Sequence, residues 1–278
     1  MSDNNDSSVK FLYGTAFGRA ILWLLLRCNY SGFAAWLFRT RLSALFIPSF
    51  ARKHGIDLSP WQGQKFRSFA DFFIRKKDVT FDADPSHLIS PCDSWLSVYP
   101  VDADSSFAIK GSRYAVADLL AGDTENRAAD FTGGTCLIFR LCPTDYHRYL
   151  YIDDGFQGKN HFVKGELHSV QPICAETYPI YTLNRRLWTP LDTEHFGHVI
   201  QTEIGALVVG GIVNYHEDAP MKKGDEMGRF EFAGSTVTLL FQKDKIALLP
   251  QVAAATKDGA EYKVSAGQQI GCAQSPEK

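Results

Sequence analysis

The sequence predicts an α+β fold in which a helical N-terminal region is followed by a mostly-β body. Apolar residues are dense and helically spaced over the first part of the chain. After residue 77, short runs of β-branched and aromatic residues alternate with Gly, Asp and Pro, as expected of strands joined by turns. The chain has 278 residues, of which 45% are hydrophobic and 22% charged, which is typical of a globular protein with a substantial core. We therefore divide it into residues 1–77 and residues 78–278.

The N-terminal region combines disorder, two apolar helices and scattered arginines. Residues 1–8 are polar and are expected to be disordered, and they lack the basic start of a signal peptide. Residues 11–26 and 33–46 form helical patterns too apolar for ordinary surface helices, with arginines interleaved in the second. Such mixtures suit a helix that lies in a lipid interface, but they also suit packing on the core or on a second subunit. The apolar run 20–26 is far shorter than the roughly 20 residues that a membrane span needs.

The remaining elements follow from capping residues and β propensity. Residues 65–77 are expected to contain a helix with Ser68 as its N-cap, and residues 116–120 a single further helix that ends before Gly122. The other apolar runs are predicted strands. They are residues 96–101, 135–141, 199–213, 236–249 and 262–264.

Charge and cysteine content exclude several classes of protein. The net charge of −2 argues against general nucleic-acid binding, which depends on a basic surface. The six cysteines include no C-x-x-C pair and fit no zinc site, so no metal is expected. A chain of this length does not need disulfides to fold, which favours reduced thiols in the cytoplasm.

Gly234-Ser235-Thr236 lies near the C-terminus, directly before a strand-like run. A β-turn leading into a strand would explain the triplet. It could also be a self-processing site, because a serine hydroxyl can attack the preceding carbonyl when backbone strain and oxyanion contacts assist. Glycine before the serine tolerates unusual backbone angles and leaves that carbonyl unshielded. The resulting ester could eliminate to dehydroalanine, which hydrolyses to a pyruvoyl group at a new N-terminus.

A series of motifs in a fixed order spans nearly the whole chain. They are residues 12–15 (LYGT), 68–76 (SFADFFIRK), 90–93 (SPCD), 141–148 (LCPTDYHR), 165–172 (GELHSVQP), 203–206 (EIGA), 223–228 (KGDEMG) and 234–236 (GST). In this order they resemble the phosphatidylserine decarboxylases, a pyruvoyl-dependent family whose proenzyme cleaves itself at a Gly-Ser bond.

The resemblance implies a role for each matching residue. Ser235 would be the nucleophile of self-cleavage and the source of the pyruvoyl cofactor. Gly234 would end a long β chain, with residues 235–278 as a short α chain. Asp93 matches the carboxylate of the family's self-cleavage triad, in which the carboxylate orients an imidazole that deprotonates the serine. His147 matches the histidine expected to handle protons during decarboxylation.

The chain departs from the family at Leu150, where the triad histidine is expected. Leucine cannot accept a proton, so three explanations compete. Another histidine could supply the base; His168 is our hypothesis because its motif corresponds to a stretch near the family's active site, and His147 could instead serve both steps. Alternatively, strain and oxyanion contacts could drive slower cleavage, since triad systems retain catalysis without one member. As a third possibility, the protein could be an uncleaved relic.

The function implied is decarboxylation of phosphatidylserine to phosphatidylethanolamine and CO₂. The pyruvoyl ketone would condense with the substrate amine and accept the electrons released with CO₂, as pyridoxal phosphate does. Residues 78–278 would be the catalytic body, and residues 1–77 would bind the phospholipid surface as a peripheral protein on the cytoplasmic face of the cell membrane. A homodimer is a further expectation from the resemblance. Two alternatives stay open: a pyruvoyl decarboxylase of a soluble amino acid, and an unprocessed, non-catalytic membrane-binding homologue.

Overall fold

The fold is described by a computed structural model over residues 7–28, 30–109, 112–175, 178–206, 211–231 and 235–274. Within these ranges, the α-helices are α1 (Ser7–Gly14), α2 (Ala16–Arg27), α3 (Tyr30–Arg39), α4 (Ile47–His54), α5 (Phe69–Phe73), α6 (Val116–Leu119), α7 (Pro172–Ala175), α8 (Ile180–Leu183) and α9 (Pro250–Ala255). Short 3-10 helices occupy Arg41–Phe46, Ser59–Trp61, Arg127–Phe131 and Lys257–Gly259. The longer helices therefore precede the first strand.

The strands follow from His87 onwards. They are β1 (His87–Ile89), β2 (Ser94–Pro100), β3 (Ser106–Ile109), β4 (Ser112–Ala115), β5 (Thr135–Leu141), β6 (Arg148–Leu150), β7 (Gly155–Gln157), β8 (His161–Val163), β9 (Arg186–Thr193), β10 (Gly197–Gly205), β11 (Gly211–Asn214), β12 (Ala219–Met221), β13 (Glu226–Glu231), β14 (Ser235–Phe241), β15 (Ile246–Leu248), β16 (Tyr262–Val264) and β17 (Gln269–Ala273). Helices and antiparallel strands together confirm the α+β class.

A nine-stranded antiparallel sheet dominates the molecule, with the order β12-β7-β9-β10-β14-β5-β2-β16 and β8 paired to β9. Two three-stranded sheets, β1-β17-β15 and β11-β13-β6, and the hairpin β3-β4 accompany it. β14 lies in the middle of the large sheet, and all seven of its residues are buried. Its sequence, STVTLLF, suits this place because β-branched and apolar side chains pack well on both faces of a sheet.

Alternation along β14 divides the core into two clusters. Val237 and Leu239 point to one side, which we call the front face, and they pack with Tyr149 and Phe230 of the β11-β13-β6 sheet. Leu240 points to the other side, the back face, where the core includes side chains from α1 and α2. These are Tyr13 and Leu22. The N-terminal helices thus share a core with the sheet.

Several predicted elements are confirmed and several are wrong. Ser68 is the N-cap of α5, since its Oγ accepts a hydrogen bond from the Asp71 N–H at 3.1 Å. The disorder expected for residues 1–8 is wrong at its end, because α1 begins at Ser7; residues 1–6 lie outside the described ranges. The helix predicted at 116–120 is present as α6, but α7, α8 and α9 also interrupt the strands.

Two long predicted strands prove to be pairs of strands. The run 199–213 contains β10, which ends at Gly205, and β11, which begins at Gly211. The run 236–249 contains β14 and β15, separated by a turn in which Asp244 has a φ of 57°. Aspartate tolerates this left-handed conformation, which lets the chain reverse there.

Among the described residues, no single helix is both long and apolar enough to cross a membrane. The pair Ala16–Arg27 and Gly32–Arg39 passes together on length and composition, with a bend of 65° between the two helices.

Candidate functional site

Ser235 is the first residue of β14, between Gly205 on β10 and Leu141 on β5. Its side chain is completely buried on the front face, and its Oγ has no hydrogen-bond partner among the described residues. An unsatisfied buried hydroxyl costs about 1–3 kcal/mol, so this placement is unfavourable unless the hydroxyl has another use. Gly234, the predicted end of the β chain, lies outside the described residues together with residues 232 and 233.

Asp93 lies in the turn before β2, at the same end of the sheet as Ser235. Trp95 on β2 and Thr236 on β14 both pair with Arg140 on β5, so the two strands flank β5 in register. β2 and β14 are therefore two strand spacings, or about 10 Å, apart. The Asp93 carboxylate is well held: Oδ1 accepts a hydrogen bond from the Ala266 N–H at 2.8 Å, and Oδ2 forms an ion pair with Lys77 Nζ at 2.6 Å.

His147 precedes β6 and is fully buried, with its ring 3.9 Å from that of Phe73 on α5. Its Nδ1 lies 2.8 Å from the Asp145 carbonyl oxygen. A carbonyl can only accept, so Nδ1 carries the hydrogen and Nε2 holds the free lone pair. That Nε2 has no partner among the described residues.

Burial, together with the charges of Arg75 and Lys263, lowers the pKa of His147 from 6.5 to about 3, although the hydrogen bond to the Asp145 carbonyl opposes the shift. The imidazole is therefore neutral at physiological pH. A buried, neutral ring with an open Nε2 can take up a proton and release it again.

Leu150, at the end of β6, occupies the place that the resemblance gives to the triad base. Its N–H donates to the Pro91 carbonyl at 2.9 Å, which fixes it beside the turn that carries Asp93. The side chain is 4% exposed. Leucine offers no proton acceptor, and the charged partner of the Asp93 carboxylate among the described residues is Lys77.

His168 is also buried, but its ring contacts lie elsewhere. Its Nε2 is 2.6 Å from Glu166 Oε2, and its Nδ1 is 3.3 Å from the Tyr13 hydroxyl. Tyr13 belongs to the back-face core, whereas Ser235 lies on the front face. Asn184 links the two regions, because its side-chain Nδ2 donates to the main-chain carbonyls of both His168 and Gly205. The structure does not bring this imidazole to Ser235, and the role of His168 as replacement base stays a prediction.

Two groups near the site were missed by the sequence analysis. Lys77 follows the motif at 68–76, and nothing in its spacing indicated that it would pair with Asp93. Glu203 belongs to the motif at 203–206, and its carboxyl is completely buried on β10. Its place as an acidic residue between Thr202 and Ile204, in a run predicted to be a strand, was the sequence signal that could have identified it. In the described part of the chain, no cluster of three or more His, Cys, Asp or Glu side chains could hold a metal ion.

Comparison with known proteins identifies the family. The family model described as phosphatidylserine decarboxylase matches residues 66–272. A phosphatidylserine decarboxylase proenzyme 2 from Clostridium acetobutylicum is 41% identical over 96% of this chain and 92% of its own length. Phosphatidylserine decarboxylase proenzymes from Clostridium botulinum and Ruminiclostridium cellulolyticum are each 36% identical, over 95% and 94% of this chain and 91% and 89% of their own lengths. The chain therefore belongs to the phosphatidylserine decarboxylase family.

Proposed function

We propose that this protein is a phosphatidylserine decarboxylase that makes phosphatidylethanolamine and CO₂ through a pyruvoyl group derived from Ser235. The observation that carries the proposal is the serine itself. Its hydroxyl is buried and has no partner among the described residues, at the start of a central strand and at the end of the sheet where Asp93 also lies. Thr202, Thr236 and Thr238 also carry buried hydroxyls without a described partner, so Ser235 is distinguished by its position directly after Gly234 at that end of the sheet.

Self-cleavage would begin when Ser235 Oγ attacks the carbonyl carbon of Gly234. The Oγ–C bond forms as the C–N bond breaks, and the hydroxyl proton ends on the Ser235 nitrogen. Elimination of the ester would then release a β chain that ends in the Gly234 carboxylate and leave dehydroalanine at the start of the α chain. One water molecule would hydrolyse its imine tautomer, with loss of ammonia, to give a pyruvoyl-blocked α chain of residues 235–278.

The residues present fit such a group, because its precursor hydroxyl is already placed in a water-excluded core. A pyruvoyl group supplies an electron sink for decarboxylation of an amine substrate. His147 would hold and return a proton at Nε2 during that reaction, since Nδ1 is fixed as the donor to Asp145. Asp93, tied to Lys77 and Ala266, would place a fixed negative charge at the edge of the site.

The substrate class implies a lipid surface, and the N-terminal helices support one. Phe17, Trp36, Leu42 and Leu45 are exposed by 72%, 62%, 75% and 77%. Exposed apolar side chains in this number mark an interaction surface. We include peripheral binding to the cytoplasmic face of the cell membrane, and a homodimer, in the proposal.

Intact-mass spectrometry of the purified, denatured protein tests the proposal. We expect two fragments divided between Gly234 and Ser235, with a blocked α-chain N-terminus, and one full-length mass for the Ser235→Ala variant. A single full-length mass for the natural chain after long incubation would refute the proposed function.

One observation favours a second candidate, an unprocessed membrane-binding homologue: Leu150 removes the expected base. That candidate predicts vesicle binding without cleavage. A pyruvoyl decarboxylase of a soluble amino acid predicts the reverse, cleavage without vesicle binding, so the mass measurement and a vesicle flotation assay together separate all three.

A further inference from the structure

Glu203 carries a carboxyl group that is buried on β10 and forms no ion pair with any residue that the structure describes. Its side chain is completely inaccessible to solvent. Among the described residues, its oxygens accept hydrogen bonds from the side-chain amides of Gln201, through Nε2 at 2.8 Å, and more weakly of Asn214, through Nδ2 at 3.4 Å. An isolated buried carboxylate destabilises a fold, and an apolar residue of similar size would suit a purely structural position better.

The strand register places this carboxyl on the same face as Ser235. Glu203 pairs with Val237, and Gly205 pairs with Ser235, so all four residues share the front face. Diagonal neighbours in an antiparallel pair have Cβ atoms about 7–8 Å apart, a distance that a long side chain can bridge. Gly205, directly opposite Ser235, has no side chain to stand between them.

The surroundings of Glu203 suit a group that gains and loses a proton. Burial raises the pKa of its carboxyl from 4.5 to about 7, against the opposing hydrogen bonds from Gln201 and Asn214. The facing titratable groups are Tyr149 and Tyr151, and burial raises the pKa of both hydroxyls. Both tyrosines are therefore neutral under ordinary conditions.

The cation on the facing strand β13 is engaged elsewhere. Arg229 bonds to the Tyr215 hydroxyl at 3.2 Å and to Glu231 at 3.5 Å. On β9 and β14, the residues that pair with Glu203 are Leu187 and Val237, which carry no charge.

We infer that Glu203 is the proton acceptor for Ser235 in self-cleavage and so fills the role left open by Leu150. This inference rests on the proposed function and deepens it. The carboxylate turns from Gln201 towards Ser235 and removes the Oγ proton as Oγ bonds to the Gly234 carbonyl carbon. As the C–N bond breaks, the carboxylic acid returns the same proton to the Ser235 nitrogen. The products are a neutral ester and an amine, and Glu203 ends as it began.

The test is a time course of self-cleavage in the full-length chain. The protein is synthesised in a cell-free system, translation is arrested, and aliquots are transferred to buffers between pH 5.5 and 9. Samples quenched in detergent at intervals give the rate at which full-length chain becomes the shorter β chain. Glu203→Gln keeps the shape and hydrogen-bonding capacity of the side chain but cannot accept a proton. Glu203→Met removes the buried polar group and provides a second test of the same residue if Glu203→Gln does not fold.

A matched control lies one residue away on the opposite face. Thr202 is buried on β10 but points to the back face, and its hydroxyl has no partner among the described residues. Thr202→Val preserves its shape, and we expect cleavage at the natural rate. Ser235→Ala gives the uncleaved reference, and near-ultraviolet circular dichroism confirms that each variant is folded.

We expect the natural chain to cleave faster as the pH rises through about 7 and then to reach a plateau, because only the ionised carboxyl accepts a proton. Folded Glu203→Gln and Glu203→Met should cleave at least about 100-fold more slowly and lose that pH dependence. A base at His147, with a pKa of about 3, gives no midpoint near 7. Folded Glu203 variants that cleave at the natural rate overturn the inference and leave the proposed function intact. A natural chain that does not cleave at any pH overturns both.

Discussion

Leu150 is the residue at which this chain departs most clearly from its family's expected chemistry. Its main chain is bonded to Pro91, so a side chain there starts beside the turn that carries Asp93. We predict that Leu150→His accelerates self-cleavage by about tenfold or more, because an imidazole at this position can be oriented by Asp93. The rate is measured by the appearance of the β chain after translation arrest.

Leu150→Met serves as the control for that substitution, since it preserves the apolar character and approximate volume of the side chain. It should cleave at the natural rate. Equal rates for the His and Met variants would show that a base at position 150 does not act on Ser235.

His147 should make the folded protein sensitive to acid. Its pKa falls from 6.5 in the unfolded chain to about 3 in the folded one, so the unfolded chain binds the extra proton between these values. The contribution of His147 to the free energy of unfolding is therefore fully present above pH 6.5. It decreases by about 1.4 kcal/mol per pH unit as the pH falls towards 3. Urea unfolding of the uncleaved Ser235→Ala protein between pH 4 and 7 measures the slope.

The comparison variant is His147→Asn in the same uncleaved background, because asparagine does not titrate. Its free energy of unfolding should depend less steeply on pH over the same window. An unchanged slope would mean that the ring is not held neutral by burial.

Sequence alone could predict site residues that belong to a local motif. It could not predict those whose role depends on a contact between distant parts of the chain. Ser235 and Asp93 could be proposed because each belongs to a recognisable run of neighbours. Lys77 could not, since its contact with Asp93 depends on how the chain leaves α5 and reaches β2. The importance of Glu203 emerges only when the register with β14 is known.

Helix α5 is capped by a residue that the sequence predicted, and it packs against the candidate site. Ser68 caps its N-terminus, and Phe73 in its last turn packs on the ring of His147. We predict that Ser68→Ala lowers the free energy of unfolding by about 1 kcal/mol, because the Asp71 N–H loses its acceptor. Urea unfolding of the uncleaved protein measures the change. Ser68→Thr, which retains a capping hydroxyl, should recover most of it, and an Ala variant as stable as its parent would exclude the cap as a stabilising contact.

Elements defined by periodicity were easier to predict than their ends. The strand at 135–141 was correct at both ends, because most of its residues are apolar and Gly and Pro lie just outside it. The run 236–249 looked like one strand because the turn at Asp244 contains lysines and aspartate without glycine or proline. The two strands are distinguished by their partners, because the chain reverses after β14 and β15 then pairs with β17 in a different sheet.

At the scale of the whole molecule, the helical region and the sheet are parts of one structure. Tyr13 on α1 accepts a hydrogen bond from the Ser169 N–H at 2.9 Å and lies in the back-face core. Sequence composition could assign residues 1–77 to helices, but it could not show which apolar side chains turn inwards. The structure sorts them: Leu22 is buried, whereas Trp23 and Leu24 beside it are more than half exposed.

The apolar side chains that remain exposed on the N-terminal helices form a surface that we expect to bind lipid. Trp36 and Leu45 lie on the exposed side of the N-terminal helices. Full burial of each such side chain in an apolar phase contributes about 1.5–3 kcal/mol. Replacing both with serine should therefore weaken partitioning onto phosphatidylserine-containing vesicles by about tenfold or more, as measured by flotation. Self-cleavage should be unchanged, because both side chains are exposed whereas Ser235 is completely buried. Phe162→Ser is the matched control: this residue is 55% exposed but lies on strand β8 and not on a helix, and its loss should leave flotation unaltered. Equal flotation of the double variant and the natural chain would show that the exposed helical surface is not the surface that meets the lipid.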